Sequence, residues 1–113
     1  MKLVATAAIV AALAAPSAFA STPTLNGVVG PGLTITLKKA GVKVTKLKAG
    51  TYIFKISDKS NIHDFHLTGP GVNKKTSVTA VSTTTWKLTL KKGTYKYVCD
   101  PHLTIMHGAF TVT

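Results

Sequence analysis

The sequence predicts an all-β protein, a two-sheet sandwich of about seven or eight strands. Three observations lead there. After residue 20 there is no apolar stripe of helical period and useful length. Short segments instead alternate apolar and polar side chains, and they are rich in β-branched residues. Turn residues separate each segment from the next.

In chain order, Thr34–Leu37 and Val42–Leu47 flank Ala40-Gly41, and Ala49-Gly50 precedes Tyr52–Ile56. Beyond Asp58-Lys59-Ser60-Asn61, a short strand over His63–Leu67 stops at Gly69-Pro70-Gly71, and a polar stretch follows around Asn73-Lys74-Lys75. Trp86, Leu88 and Leu90 alternate with Lys87, Thr89 and Lys91 before Lys92-Gly93 turns the chain. Tyr95, Tyr97 and Cys99 share one face of the next strand, as do Phe110 and Val112 on the last. Trp86, Tyr95 and Tyr97 are expected in the core. Residues 21–32, with Pro23, Gly27, Gly30, Pro31 and Gly32, read either as a poorly ordered lead-in or as part of a first strand; residues 33–113 form the domain.

A length of 113 residues allows one domain, and a hydrophobic content of 45% excludes a disordered polybasic tail. A single cysteine excludes an intramolecular disulfide, so stability must come from an ordinary core. Fourteen basic residues against three acidic ones give a formal charge of +11. Every basic residue is a lysine, and the acids are Asp58, Asp64 and Asp100. The lysines fall on the outward phase of the strands or in turns, which serves solubility and protects sheet edges. Nucleic acid is not expected as a partner, because arginine, the usual bidentate base reader, is absent.

Residues 1–20 read as a secretory signal peptide. Lys2 supplies the positive start, Leu3 to Ala15 the apolar run, and Ala18-Phe19-Ala20 the small residues before a cut at Ala20-Ser21. The run is shorter than the roughly 20 residues that span a bilayer. Cleavage removes Lys2 and lowers the net charge by one. The protein is therefore expected outside the cytoplasm, in the periplasm or secreted, where an unpaired cysteine calls for something to occupy its sulfur.

Cys99, His102 and Met106 stand within eight residues, between two expected strands, and His63 lies upstream where a loop enters a strand. A thiolate, two imidazoles and a weak thioether are the donors of a trigonal copper site with a long axial ligand. Such a mixture satisfies both the soft cuprous and the harder cupric ion, so little must move when an electron does. Ligation also accounts for the lone cysteine, and for Met106 as the only methionine after Met1.

These residues resemble the cupredoxins, small blue copper proteins such as plastocyanin, amicyanin and azurin. The likeness extends over residues 21–113 in strand pattern, and its specific parts are residues 61–67 and 95–112. It implies a cupredoxin-like Greek-key sandwich holding one copper ion, with His63, Cys99 and His102 as equatorial ligands and Met106 as the axial one. Three residues separate His102 from Met106, one fewer than in plastocyanin and one more than in amicyanin. Asp64 stands where the family usually has Asn, whose side chain ties the two ligand loops together. Asp64 could accept backbone N–H bonds from the 99–106 loop but cannot donate while ionised.

His66 competes with His63 for the upstream position. Strand parity groups His63 with Phe65 and Leu67 on the core face and leaves Asp64 and His66 on the other, which selects His63 and makes His66 an exposed strand residue. His107 is expected to face solvent; neither spare histidine is assigned a second metal. The resemblance further implies that electrons leave through the His102 edge, with Leu103 and Ile105 as a small apolar docking patch. The expected function is a single-electron shuttle between redox proteins, the lysine excess favouring an acidic partner and allowing contact with anionic membrane or envelope surfaces. The alternative is an extracytoplasmic copper carrier or scavenger using the same ligands. An enzyme is not expected, because protein ligands fill the site and no catalytic triad or carboxylate pair exists. A monomer is expected.

Overall fold

Period-two alternation in the chain generates two five-stranded sheets that pack face to face. In the computed structural model residues 21–113 are described, so the segment 1–20 read as a signal peptide, with its expected cleavage, lies outside the described residues. The strands are β1 Thr24–Val29, β2 Ile35–Lys39, β3 Val42–Lys43, β4 Lys46–Leu47, β5 Gly50–Asp58, β6 His66–Gly69, β7 Val72–Lys75, β8 Thr83–Leu90, β9 Gly93–Val98 and β10 His107–Val112. One sheet has the order β3-β2-β1-β5-β8, the other β4-β10-β9-β6-β7. Eight strands have four or more residues; β3 and β4 have two each.

Residues 24–29, left open between lead-in and strand, form β1 at the centre of the first sheet. It runs parallel to β5, pairing Val29 with Asp58, and antiparallel to β2. Leu25 and Val29 enter the core from β1, Leu37 from β2, and Phe54 and Ile56 from β5. Leu67, Tyr95, Tyr97, Phe110 and Val112 meet them from the second sheet. Trp86, Tyr95 and Tyr97 are core aromatics as expected, and Phe65–Tyr97 and Tyr95–Phe110 stack with centroids 5.3 Å apart. Gly108 faces Tyr97 across the β9–β10 ladder, where any side chain would overlap the tyrosine ring.

Two sequence expectations change. Val42–Leu47 is not one strand: β3 pairs with β2, then the chain crosses at the buried Val44 so that β4 pairs with β10 in the other sheet. Alternation cannot reveal that crossing, because a strand that changes sheets keeps its inward phase. The segment entering β6 is irregular from His63 to Phe65, and three consecutive residues, His63, Asp64 and Phe65, are buried. Parity holds only where the backbone is pleated, so Asp64 lies inside rather than on the outer face.

Every lysine among the described residues is exposed. Lys43, Lys46, Lys74 and Lys87 sit on the four edge strands, where charge discourages pairing with another chain.

Candidate metal centre

The downstream ligand loop folds largely on itself. Cys99 follows β9 on the inward phase of Tyr95 and Tyr97 and is fully buried. Pro101, with its preset φ, begins a single 3-10 turn over Asp100–His102. The His102 N–H donates to the Cys99 carbonyl at 2.9 Å, the Met106 N–H to the His102 carbonyl at 2.9 Å, and the Cys99 N–H to the Met106 carbonyl at 3.0 Å. Cys99, His102 and Met106 are thus tied to one another through backbone alone. Met106 is fully buried, while His102 stays half-buried.

The upstream ligand is braced by other elements. His63 is fully buried in the connection between β5 and β6. Two residues on, the Phe65 N–H donates to Thr76 Oγ1 at 2.9 Å and the Thr76 N–H returns a bond to the Phe65 carbonyl at 3.1 Å. Gly30, at φ +74°, lies against the imidazole; a Cβ there would stand 2.8 Å from His63 Cδ2. Only glycine meets both demands, the left-handed backbone and the close approach.

These braces bring three donor atoms together. His63 Nδ1 lies 3.3 Å from His102 Nδ1 and 3.6 Å from Cys99 Sγ, and His102 Nδ1 lies 3.5 Å from Cys99 Sγ. The centre of such a triangle is about 2.0 Å from each corner, the bond length of an imidazole to a borderline first-row ion. The rings meet edge to face, centroids 4.9 Å apart. Burial pushes the Cys99 thiol up, so a metal that binds here must displace its proton. One thiolate and two imidazoles in a plane suit copper.

Hydrogen bonds join Asp64 to the Asp100 amide, and the Asp100 side chain to His66 and on to Asn73, and they support the donor residues. Asp64 Oδ1 accepts the Asp100 N–H at 2.6 Å and so joins the His63 segment to the Cys99 loop. Burial, and then the Asp100 carboxyl beside it, push Asp64 up to about 6. In mildly acid solution it is a neutral acid that donates as well as accepts, as the amide expected at this position would. Asp100 in turn binds His66 Nδ1 at 2.9 Å, and His66 Nε2 lies 2.6 Å from Asn73 Oδ1. Burial alone would lower the His66 pKa; its bonds to Asn73 and Asp100 and the charges of both aspartates more than offset that and raise it. For Asp100 burial works upward and is outweighed by Asp64, His66 and Lys75, which lower it.

The structure therefore unites His63, Cys99 and His102, buries Met106 at the end of their loop, and leaves Leu103 and Ile105 exposed beside His102. His107 is exposed. His66 departs from its expected exposure: it is half-buried, with both ring nitrogens partnered. Sequence reasoning missed Gly30, Thr76 and the bonds made by Asp100. One signal pointed to Asp100, since it is one of three acids in this lysine-rich chain and stands between Cys99 and His102.

A family model described as a Cupredoxin-like domain matches residues 3–112. The chain belongs to the cupredoxin family. Among solved structures, this cupredoxin is similar to reduced rusticyanin, with a TM-score of 0.58 and 23% identity over 80% of this chain and 76% of that one. Auracyanin A, titled a "blue" copper protein from the green thermophilic photosynthetic bacterium Chloroflexus aurantiacus, gives a TM-score of 0.57 and 16% identity over 82% of this chain and 100% of that one. Auracyanin B gives 0.53 and 19%, over 84% and 93%. At such identities the likeness establishes the fold. No curated protein sequence matches significantly. The family and the His63–Cys99–His102 cluster together indicate a single copper ion.

Proposed function

We propose that this cupredoxin is a one-electron carrier working outside the cytoplasm, with His63, Cys99 and His102 as equatorial ligands and Met106 as the axial one. The observation that carries this reading is the near-equilateral triangle of donor atoms, with sides of 3.3 to 3.6 Å, held from several elements at once. Bound copper supplies the exchange of one electron between its cuprous and cupric states. The residues keep that exchange cheap in rearrangement: backbone bonds across Cys99–Met106 and the Phe65–Thr76 clip restrain both ligand segments.

Burial of Cys99 and His63 keeps water from the thiolate, whereas half-buried His102 offers an edge to a partner. Exposed Leu103 and Ile105 flank it, and Leu33 and Ile62 stand on the two neighbouring loops at the same end. Such a patch suits the small interfaces of redox encounters. The exposed lysines favour an acidic redox partner, with an association rate that falls as salt rises. The N-terminal pattern supports export, and four protein ligands leave no position for a substrate.

Addition of cupric ion to the purified protein tests this. An intense visible copper–thiolate band, absent in Cys99→Ser and reversible under reductant and oxidant, is expected. Met106→Ala should keep the band and shift the reduction potential. A colourless complex overturns the electron-carrier reading, and rapid cuprous release to a competing chelator favours the copper carrier.

A further inference from the structure

Among the described residues, two buried side-chain polar atoms have no hydrogen-bond partner: Asp58 Oδ2 and His63 Nε2. Buried polar groups are nearly always paired, and these two are complementary. A carboxylate oxygen accepts; Nε2 donates whenever Nδ1 is bare.

Their surroundings set both near Gly30, with no hydrogen bond between them. Asp58, 4% exposed, is the last residue of β5, and its other oxygen, Oδ1, accepts the Ser60 N–H at 3.1 Å. Ser60 and His63 flank one point: a Cβ on Gly30 would stand 3.2 Å from Ser60 Cβ and 3.5 Å from His63 Nε2. Burial raises the Asp58 pKa, and the Ser60 bond works against it. The same carboxyl is one of only three acids in the chain, and the other two already bind around the ligands.

We propose that Asp58 is a positioning residue for His63: its buried carboxylate, close to the imidazole without a hydrogen bond to it, favours the proton on Nε2 and so keeps the ring in the tautomer that presents Nδ1 to the metal. This rests on His63 being a ligand through Nδ1, the nitrogen that faces Cys99 and His102. A carboxylate behind a ligating imidazole fixes the ring and strengthens it as a donor. Its negative charge also favours the cupric state over the cuprous one.

Asp58→Asn is the discriminating variant. The Ser60 N–H requires an oxygen, so the amide nitrogen takes the place of Oδ2 and sets a donor against Nε2. Nitrogen-15 NMR of the metal-free protein should show His63 protonated at Nε2 in the wild type and shifted toward Nδ1 protonation in Asp58→Asn. Copper affinity should fall at least about tenfold, and the reduction potential of the loaded variant should rise. Asp58→Ala, which removes Oδ2 without adding a donor, should give a mixture of tautomers. A wild-type His63 protonated at Nδ1 overturns the proposal without any variant. So does an Asp58→Asn protein with unchanged tautomer, affinity and potential, or, if that variant does not fold, an unchanged tautomer in Asp58→Ala. A visible band unaltered in His63→Gly would instead overturn the ligand assignment beneath it, a separate result.

Discussion

The two ligand-bearing segments are built on opposite principles. Cys99, His102 and Met106 belong to one loop between paired strands, closed by its own backbone hydrogen bonds. His63 belongs to an irregular stretch whose position is set from outside, by Gly30 from the β1–β2 loop, Thr76 beyond β7, and the Asp64 bond to the Asp100 amide. The first segment is a local structure that carries a site; the second is a site residue carried by the tertiary fold. Damage to the braces of His63 should therefore cost more than equal damage on the exposed rim of the Cys99 loop.

Gly30→Ala should show the largest effect. It forces a Cβ onto the His63 ring at φ +74°, and the strain and overpacking should cost about 3 kcal/mol, read by denaturant unfolding, with weakened copper binding in titration. Thr76→Val keeps the shape but leaves the Phe65 N–H without its acceptor. A loss of about 2 kcal/mol is expected, with a perturbed copper–thiolate spectrum.

His66→Gln tests the support shared by both segments, and its effect should depend on pH. The folded-state pKa of His66 is raised, so its contribution is fully present below the unfolded imidazole's ordinary value of about 6.5 and is lost as the pH climbs through the folded one. Because the Asp100 side chain is 38% exposed, the variant should lose only about 1 kcal/mol in acid solution. The gap to wild type should narrow in alkaline solution. Unfolding curves at several pH values measure it; a gap that widens with pH contradicts the ion pair. Leu103→Ala, on the exposed rim of the self-closed loop, should change stability by less than about 0.5 kcal/mol and leave the visible spectrum intact. Its effect should be confined to a slower bimolecular electron exchange.

The contrast also explains which features could be read in the chain. Strand alternation through Trp86–Leu90 and Tyr95–Cys99 reports a pleated backbone with one buried face, and the spacing of Cys99, His102 and Met106 reports a loop whose contacts are local. Parity failed at Asp64 because the backbone from His63 to Phe65 is not pleated, and it failed to divide Val42–Leu47 because a crossing between sheets preserves the inward phase. His66 acquires its partners from β7 and the Cys99 loop, 7 and 34 residues away, and nothing in its immediate sequence announces them.

The amino-acid sequence by itself determined the sandwich, the outward lysines and the donor types, because each of these follows from local period, composition or short spacing. Only the tertiary structure decided that His63 is seated against Gly30, that Asp64 and Asp100 join the two ligand segments, and that Asp58 and His63 lie buried with complementary atoms still to satisfy. Those facts depend on strands distant in the chain ending at the same end of the sandwich. The parallel pairing of β1 with β5, which sets Val29 beside Asp58, is the contact that brings them there.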